Sequence, residues 1–346
     1  MCNKINILMT GAGAPGGPGI LRALQSAEYL KVHCADMNEI SSGRFLSEHF
    51  HKIPSANDEG FIQFILELCL KNNIKLIFPL VTLELFLFAE NKNLFLDNGI
   101  EVLVSDFESL SVANDKGKLL HHLKDHGLAY PDFHISKSVE QLTSSVSMLG
   151  YPDKPVVIKP CVGNGSRGIR VLHPEKDRYN LLFNEKPNSL YTTFDDVLAA
   201  IGDRDIPELV VSEYMPGDEL TIDCVVNNSN LELILIRSRD RMSGGISTAG
   251  RFIENQEVKN YITSIVKSFK GLNGAIGFQV KRASDGSYLL LESNPRIQGT
   301  SVAALGCGVN LPLIVVNNAL GIENPELDIK SNVGFIRCFE ELYYEC

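Results

Sequence analysis

The sequence predicts an α/β chain built on a parallel sheet that continues as an α+β half with mostly antiparallel pairing. Three observations predict it. Up to about residue 105, short apolar runs alternate with stretches of helical spacing, the pattern of right-handed βαβ units. Further along, apolar runs follow one another across short connections, which suits antiparallel partners. Apolar residues make up 44% and charged residues 21% of the 346 positions, a globular composition that excludes a disordered or fibrous chain. At about 100–200 residues per domain, this length holds two or three domains.

The elements follow in order. Ile5–Met9 reads as a buried strand, then a glycine-rich turn and a helix over 19–30. Val32–Asp36 is a second strand. Phe61, Phe64, Ile65, Leu68 and Cys69 recur at helical spacing before an apolar strand at 74–80 and another at 101–105. A helix-forming stretch over 111–127 leads to Tyr130-Pro131, a boundary signal. A helix at 138–149, a strand at 155–159, a turn at 162–168 and a strand at 169–172 come next. Residues 173–191, polar and carrying Pro174 and Pro187, read as a loop or insertion. Strands are expected at 209–214, 220–226, 231–237, 275–282, 288–292 and 333–339, with helices at 255–269 and 311–320.

Charge and cysteine usage narrow the class. Lys and Arg total 32 against 42 acidic residues, a net charge of −10, which disfavours broad binding to nucleic acid or an anionic membrane. The 8 cysteines lie far apart with no C-x-x-C pair, so reduced thiols are expected rather than a disulfide framework or zinc knuckle. No run reaches the length of a membrane span, and the apolar N-terminal stretch is too short for a signal peptide. A cytoplasmic location is expected.

Two glycine turns invite different readings. Gly11-Ala12-Gly13-Ala14-Pro15-Gly16 follows a strand, and Asp36 ends the next one, which matches the dinucleotide fingerprint. Pro15 and Pro18 interrupt that turn, however, so a glycine-rich strand-to-helix turn whose amides face some other ligand is the competing reading. The second turn, Gly163-Asn164-Gly165-Ser166-Arg167-Gly168, lies between two strands. It forms a hairpin rather than a Walker loop, whose G-K-[ST] is missing. Such a tip offers backbone amides to phosphates, and Lys159 beside it offers a compact positive charge; the competing reading is a surface hairpin with a snorkelling lysine. Lys116, at a helix start, is a second cation.

Glu292-Ser293-Asn294-Pro295-Arg296 closes an apolar strand. Glu292 and Asn294 alternate onto one face, as hard oxygen ligands for Mg²⁺ would, and Arg296 suits a phosphoryl group. Gln279 lies mid-strand upstream and shares that face if the two strands pair. A capped strand end is the bland alternative. The arginines from Arg237 to Arg251 suit either a carboxylate or phosphate substrate or a solvated strand edge.

In chain order, Lys116, Lys159, the turn at 163–168, Glu213-Tyr214-Met215-Pro216-Gly217-Asp218-Glu219, Gln279 and Glu292–Arg296 resemble the ATP-grasp superfamily, nearest the carbamoyl-phosphate synthase large subunit and biotin carboxylase branch. The resemblance runs from about residue 5 to about 320. It implies an ATP-grasp fold: a Rossmann-like domain over 1–112 that binds no NAD, a linker helix and mobile lid over 113–208, and an antiparallel-sheet domain over 209–346. It further implies that Lys116 and Lys159 bind phosphates, with Gly163, Gly165, Ser166 and Gly168 covering them. Glu213, Tyr214 and Met215 would form the adenine hinge and Glu219 would hold the ribose. Gln279, Glu292 and Asn294 would ligate Mg²⁺ (or Mn²⁺), and Arg296 would sit over the transferred phosphoryl. The implied activity is an ATP-dependent carboxylate ligase acting on a small-molecule carboxylate and an amine, with a homodimer left open. The chain holds one such unit, against two in the carbamoyl-phosphate synthase large subunit, so carbamoyl phosphate synthesis is not the expectation. The rival readings are an NAD-dependent oxidoreductase using the Gly11–Gly16 turn and a non-catalytic ATP-binding subunit.

Overall fold

The computed structural model describes residues 4–163, 167–185 and 190–345. Its contacts divide the chain into two compact units. The first joins Met1–Ser111, Leu220–Gln279 and Ser293–Cys346; the second joins Val112–Glu219 and Val280–Glu292. The units interleave along the chain, whereas the segments expected from sequence (1–112, 113–208 and 209–346) are contiguous. Sequence order alone does not reveal that a strand leaves one unit and ends in the other.

The first unit opens with β1 (Ile5–Thr10), β2 (Leu30–Asp36), β3 (Phe50–Lys52), β4 (Ile74–Pro79) and β5 (Glu101–Val102). They form a parallel sheet in the order β3-β2-β1-β4-β5. Both faces are covered, which is why β1 reads as an unbroken apolar run. Ile7 and Met9 join a cluster with Leu21, Leu24, Cys34 and Phe78 on one face, while Leu8 joins Phe61, Ile65, Leu85 and Phe88 on the other. The strand order reverses between β1 and β4, and in such sheets the crevice at the strands' carboxyl ends receives ligands.

The first glycine turn packs closely on the protein itself. Gly11 has φ +67°, and a Cβ on Gly16 would lie 2.4 Å from Gly299 Cα. The close backbone approach that these glycines permit is thus to the protein itself. Asp36 is held on the same turn: Gly13 N–H donates to one carboxylate oxygen at 2.7 Å and Asn38 N–H to the other at 2.8 Å.

In the second unit, β6 (Phe133–Ser136), β7 (Val156–Pro160), β8 (Arg170–Leu172), β9 (Tyr191–Thr192) and β10 (Leu209–Glu213) form a sheet in the order β6-β10-β7-β8-β9. Leu142 and Val146 of the helix Val139–Met148 pack on Val156, Ile158, Leu172 and Val211. The stretch 173–191, read as a loop, instead contains the helix Arg178–Phe183 and reaches β9. Asp177 caps that helix by accepting from Tyr179 N–H and Asn180 N–H; because none of its residues is buried, no apolar period marks it in the sequence. The helix expected over 111–127 is two helices, Phe107–Ala113 and Lys116–Asp125, with the second capped by Asp115.

A third sheet is built from β11 (Glu219–Asn227), β12 (Asn230–Ser238), β13 (Arg241–Ser243), β14 (Ile246–Ile253), β15 (Gly274–Arg282) and β16 (Tyr288–Asn294), in the order β13-β14-β12-β11-β15-β16. A further strand, β17 (Gly334–Ile336), pairs with β14. The arginine stretch resolves into unlike parts. Arg237 is fully buried, while around the β13–β14 hairpin Arg239 is half-buried and Arg241 and Arg251 are exposed. Arg237 Nε donates to Asp223 at 2.7 Å and Nη1 to Thr300 Oγ1 at 2.8 Å. The other Asp223 oxygen accepts from Ser301 Oγ at 2.6 Å and Gln298 Nε2 at 3.1 Å.

Among the described residues no single helix is long and apolar enough to cross a membrane, and Cys34, Cys69, Cys161, Cys224, Cys307 and Cys338 are free thiols. Removing one member of a buried pair strands the other charge. Asp223→Ala should therefore lower stability by about 3–5 kcal/mol, whereas the double change Asp223→Leu, Arg237→Met should recover much of it. Urea unfolding of the three proteins measures both.

Candidate active site

The second unit gathers the two lysines. Strand β7 carries Lys159 inward between apolar neighbours, and its side chain is only 4% exposed. A snorkelling surface lysine is excluded. Its Nζ donates to the Leu291 carbonyl at 3.2 Å, at the end of the leucine run of β16. Its pKa is lowered to about 8, by burial first and by the Lys116 charge second, while Glu292, Cys161 and Glu219 oppose the shift. Lys116 opens the helix Lys116–Asp125 and is buried too; its backbone N–H donates to the Cys161 carbonyl at 2.8 Å. Its Nζ lies 3.6 Å from a Glu292 oxygen and donates to the Gly163 carbonyl at 3.3 Å. Lys116 and Lys159, both buried, and the half-buried Glu292 thus lie beside the start of the glycine turn. Gly168 at the far side of that turn has φ +78°, and a Cβ there would meet Pro160 at 2.6 Å. Gly165 and Ser166 lie outside the described residues.

The stretch 213–219 forms a polar wall over an apolar floor. Glu213 accepts from Asp132 N–H at 3.0 Å, which ties the end of β10 to the start of β6. Met215 is buried against Ala283, Leu289 and Leu291. Tyr214 lies between His173, with ring centroids 5.8 Å apart, and Lys281, whose Nζ is 5.6 Å from its ring. Burial and the neighbouring Tyr191 raise the Tyr214 hydroxyl pKa. Glu219 begins β11 and is half-buried.

The first unit holds Gln279, Asn294 and Arg296. Gln279 is half-buried amid an otherwise buried run of β15. Along β16, Ser293 is buried while Glu292 and Asn294 are half-buried, the alternation expected of a strand with two opposed faces. Arg296 Nε donates to Thr82 Oγ1 at 3.0 Å and Nη1 to the Ile297 carbonyl at 2.8 Å. Among the described residues no group of three or more His, Cys, Asp or Glu side chains converges as a metal site. Sequence reasoning passed over Glu84, which is 5% exposed in the helix Thr82–Glu90. A lone carboxylate inside the apolar run Leu83–Phe88 was the signal available to it.

The buried ammonium makes a pH prediction. Between about pH 8 and the ordinary lysine range near 10.5, the unfolded chain binds more protons at this side chain than the folded one, so stability rises with pH across that window. Lys159→Met should abolish that rise without loss of stability at neutral pH. Denaturant titrations at neutral and alkaline pH test it, and an unchanged rise in the variant would assign the slope to other groups.

Residues 205–336 match a family described as ATP-grasp in the biosynthetic pathway with Ter operon, and residues 7–103 match the PylC-like N-terminal domain. The chain is 25% identical over 248 residues to the carbamoyl phosphate synthase large chain of Thermoanaerobacter sp. (strain X514), covering 68% of this chain and 21% of that one. It thus spans about a fifth of that relative's length. The carboxyaminoimidazole ribonucleotide synthase of Aspergillus clavatus, solved with ATP, superposes with a TM-score of 0.71 at 15% identity, over 96% of this chain and 81% of that one. The biotin carboxylase of Campylobacter jejuni gives 0.68 at 16% identity, over 95% and 74%. With a parallel N-terminal sheet, an antiparallel sheet beyond it and both sequence matches, the chain has an ATP-grasp fold and is similar in sequence to the carbamoyl phosphate synthase large chain.

Proposed function

We propose that the protein is an ATP-dependent carboxylate–amine ligase that forms an acyl phosphate and releases ADP and phosphate. The observation that carries this reading is the pair of buried lysines, Lys116 and Lys159, gathered with Glu292 beside the glycine turn. Two ammonium groups held out of water, with Glu292 3.6 Å from Lys116 and the charges of Glu292 and Glu219 acting on Lys159, suit an anionic ligand. Lys116 and Lys159 would hold the phosphates of ATP, with Gly163 and Gly168 flanking the turn over them; Gly165 and Ser166 complete that assignment. Glu213, Tyr214 and Met215 would receive adenine, with Met215 contributing backbone atoms because its side chain is committed to the core. Glu219 would hold the ribose. Gln279, Glu292 and Asn294 would hold Mg²⁺, since a carboxylate and two amide carbonyls are the hard oxygen donors that ion takes. When bound, the metal would neutralise charge on the terminal phosphates. Arg296, fixed by Thr82, would stabilise the phosphoryl group in transit and the carboxylate receiving it. Catalysis on this reading rests on position and charge, without a protein nucleophile. The substrates are small molecules, and a cytoplasmic site of action accords with the free thiols.

Incubation with Mg-ATP, a panel of carboxylates and hydroxylamine tests the reading. ADP and a hydroxamate should appear together, only with an accepted carboxylate. Lys159→Met should lower that rate on the order of 10²-fold, as loss of one preorganised charge does, and Glu292→Gln should largely abolish it with the fold intact. AMP and pyrophosphate as products would refute the acyl-phosphate route. NADH raising the thermal midpoint, with ATP ineffective, would favour an oxidoreductase.

A further inference from the structure

We propose that His33, His49 and His51 form an acid-sensitive latch that holds β3 on the edge of the parallel sheet and releases it when the imidazoles take up protons. His33 lies on β2, opposite Leu8 in the pairing with β1, and is 4% exposed. His49 precedes β3 and His51 lies within it; both are half-buried. The His33 ring stacks on His49 with centroids 4.8 Å apart and on His51 with centroids 5.3 Å apart. His33 Nδ1 and His51 Nε2 share a hydrogen bond at 2.9 Å, while His33 Nε2 is buried without a partner. Strand β3 is three residues long and pairs with β2 alone. Two backbone hydrogen bonds flank it: Cys34 N–H donates to the His49 carbonyl at 2.7 Å, and Ile53 N–H donates to the Asp36 carbonyl at 3.1 Å.

This geometry accommodates only neutral rings. A neutral imidazole has one donor and one acceptor nitrogen, whereas a charged one has two donors. A proton added to the His33–His51 pair leaves either an unmet N–H at the buried His33 Nε2 or two N–H groups facing each other across 2.9 Å. The surrounding charges add to that cost. Lys31 of β2 acts on His33, and Lys71, which ends the helix Phe61–Lys71, acts on His51; both are cations. No carboxylate among the described residues acts on either ring. Glu48, next to His49 in the chain, is exposed, Glu39 is shared by Arg44 and Lys52, and Glu67 accepts from Gln63. Burial first, then the His49, His51 and Lys31 charges, lower the His33 pKa to about 4; burial, His49 and Lys71 lower that of His51. With a folded-state value below the ordinary 6.5, the opened form binds the extra proton. The closed form is therefore favoured above about pH 6.5 and loses ground as pH falls toward about 4. Departure of β3 parts the rings while β2, β1 and β4 stay paired, so the release is local.

Amide hydrogen exchange of the full chain, read by mass spectrometry and corrected for the intrinsic pH dependence of exchange, tests this. Between about pH 6 and about pH 4.5, protection of residues 47–54 should fall about tenfold per pH unit, the slope given by uptake of one proton on opening. Residues 5–10 and 74–79 should keep their protection within about threefold over the same range. His33→Gln removes the charge that the buried position would have to carry and should flatten the slope at 47–54 to below about threefold per unit. His51→Gln takes its place if that variant does not fold. Constant protection of residues 47–54 in the wild-type protein would overturn the latch. So would a parallel loss at 5–10 and 74–79, which marks acid unfolding of the whole sheet, or an undiminished slope in the folded variant.

Discussion

The Asp223 carboxylate is the constraint on which the first unit depends. Both of its oxygens are used: one by the Arg237 guanidinium, the other by Ser301 and Gln298. A carboxyl group at 2% exposure persists only when its polar atoms are met, so the strand pair β11–β12 and the segment 298–301 must stay in register. That segment carries Gly299, whose backbone takes the approach of Gly16, and it begins just after Arg296. One buried carboxylate therefore ties the glycine turn of the N-terminal sheet, the antiparallel sheet and the arginine of the site into one arrangement. One Arg237 nitrogen, Nη2, is buried without a hydrogen bond, and the Phe335 ring lies 5.8 Å from its guanidinium carbon. A cation facing an aromatic ring recovers part of what that nitrogen forgoes.

The second unit uses buried charge the other way. Lys159 is desolvated with one carbonyl partner, and Lys116 shares Glu292. A satisfied network such as the one at Asp223 builds structure, whereas ammonium groups in a dry setting favour an incoming counter-ion. Preorganised groups of this kind need no reorientation when charge develops on a ligand, which is why their burial is tolerated at a site.

The strands were largely legible because their apolar content is a local property. β1, β4, β7, β10 and the leucine run of β16 lie within one or two residues of their expected bounds. The alternation at Glu292-Ser293-Asn294 was legible for the same reason, since a period of two survives whatever the strand packs on. The helix Arg178–Phe183 was not, because its fold-back is set by the Asp177 cap and no face of it is buried. Strand β14 was missed too; its residues alternate weakly and it owes its place to pairing with β12, β13 and β17.

By itself the sequence determined the parallel and antiparallel halves, the glycine hairpin and the ordered series of lysines, carboxylates and Arg296, since each depends on residue type at short spacing. Only the tertiary structure decided what each charged side chain does. It packed the Gly11–Gly16 turn against Gly299, and it separated the buried Arg237 from its more exposed neighbours. It buried Lys159 and brought Glu292 to Lys116 across a long stretch of chain. The physical reason is that desolvation and ion pairing depend on distance in space, and residues so far apart in sequence fix that distance only once the sheets have closed around them.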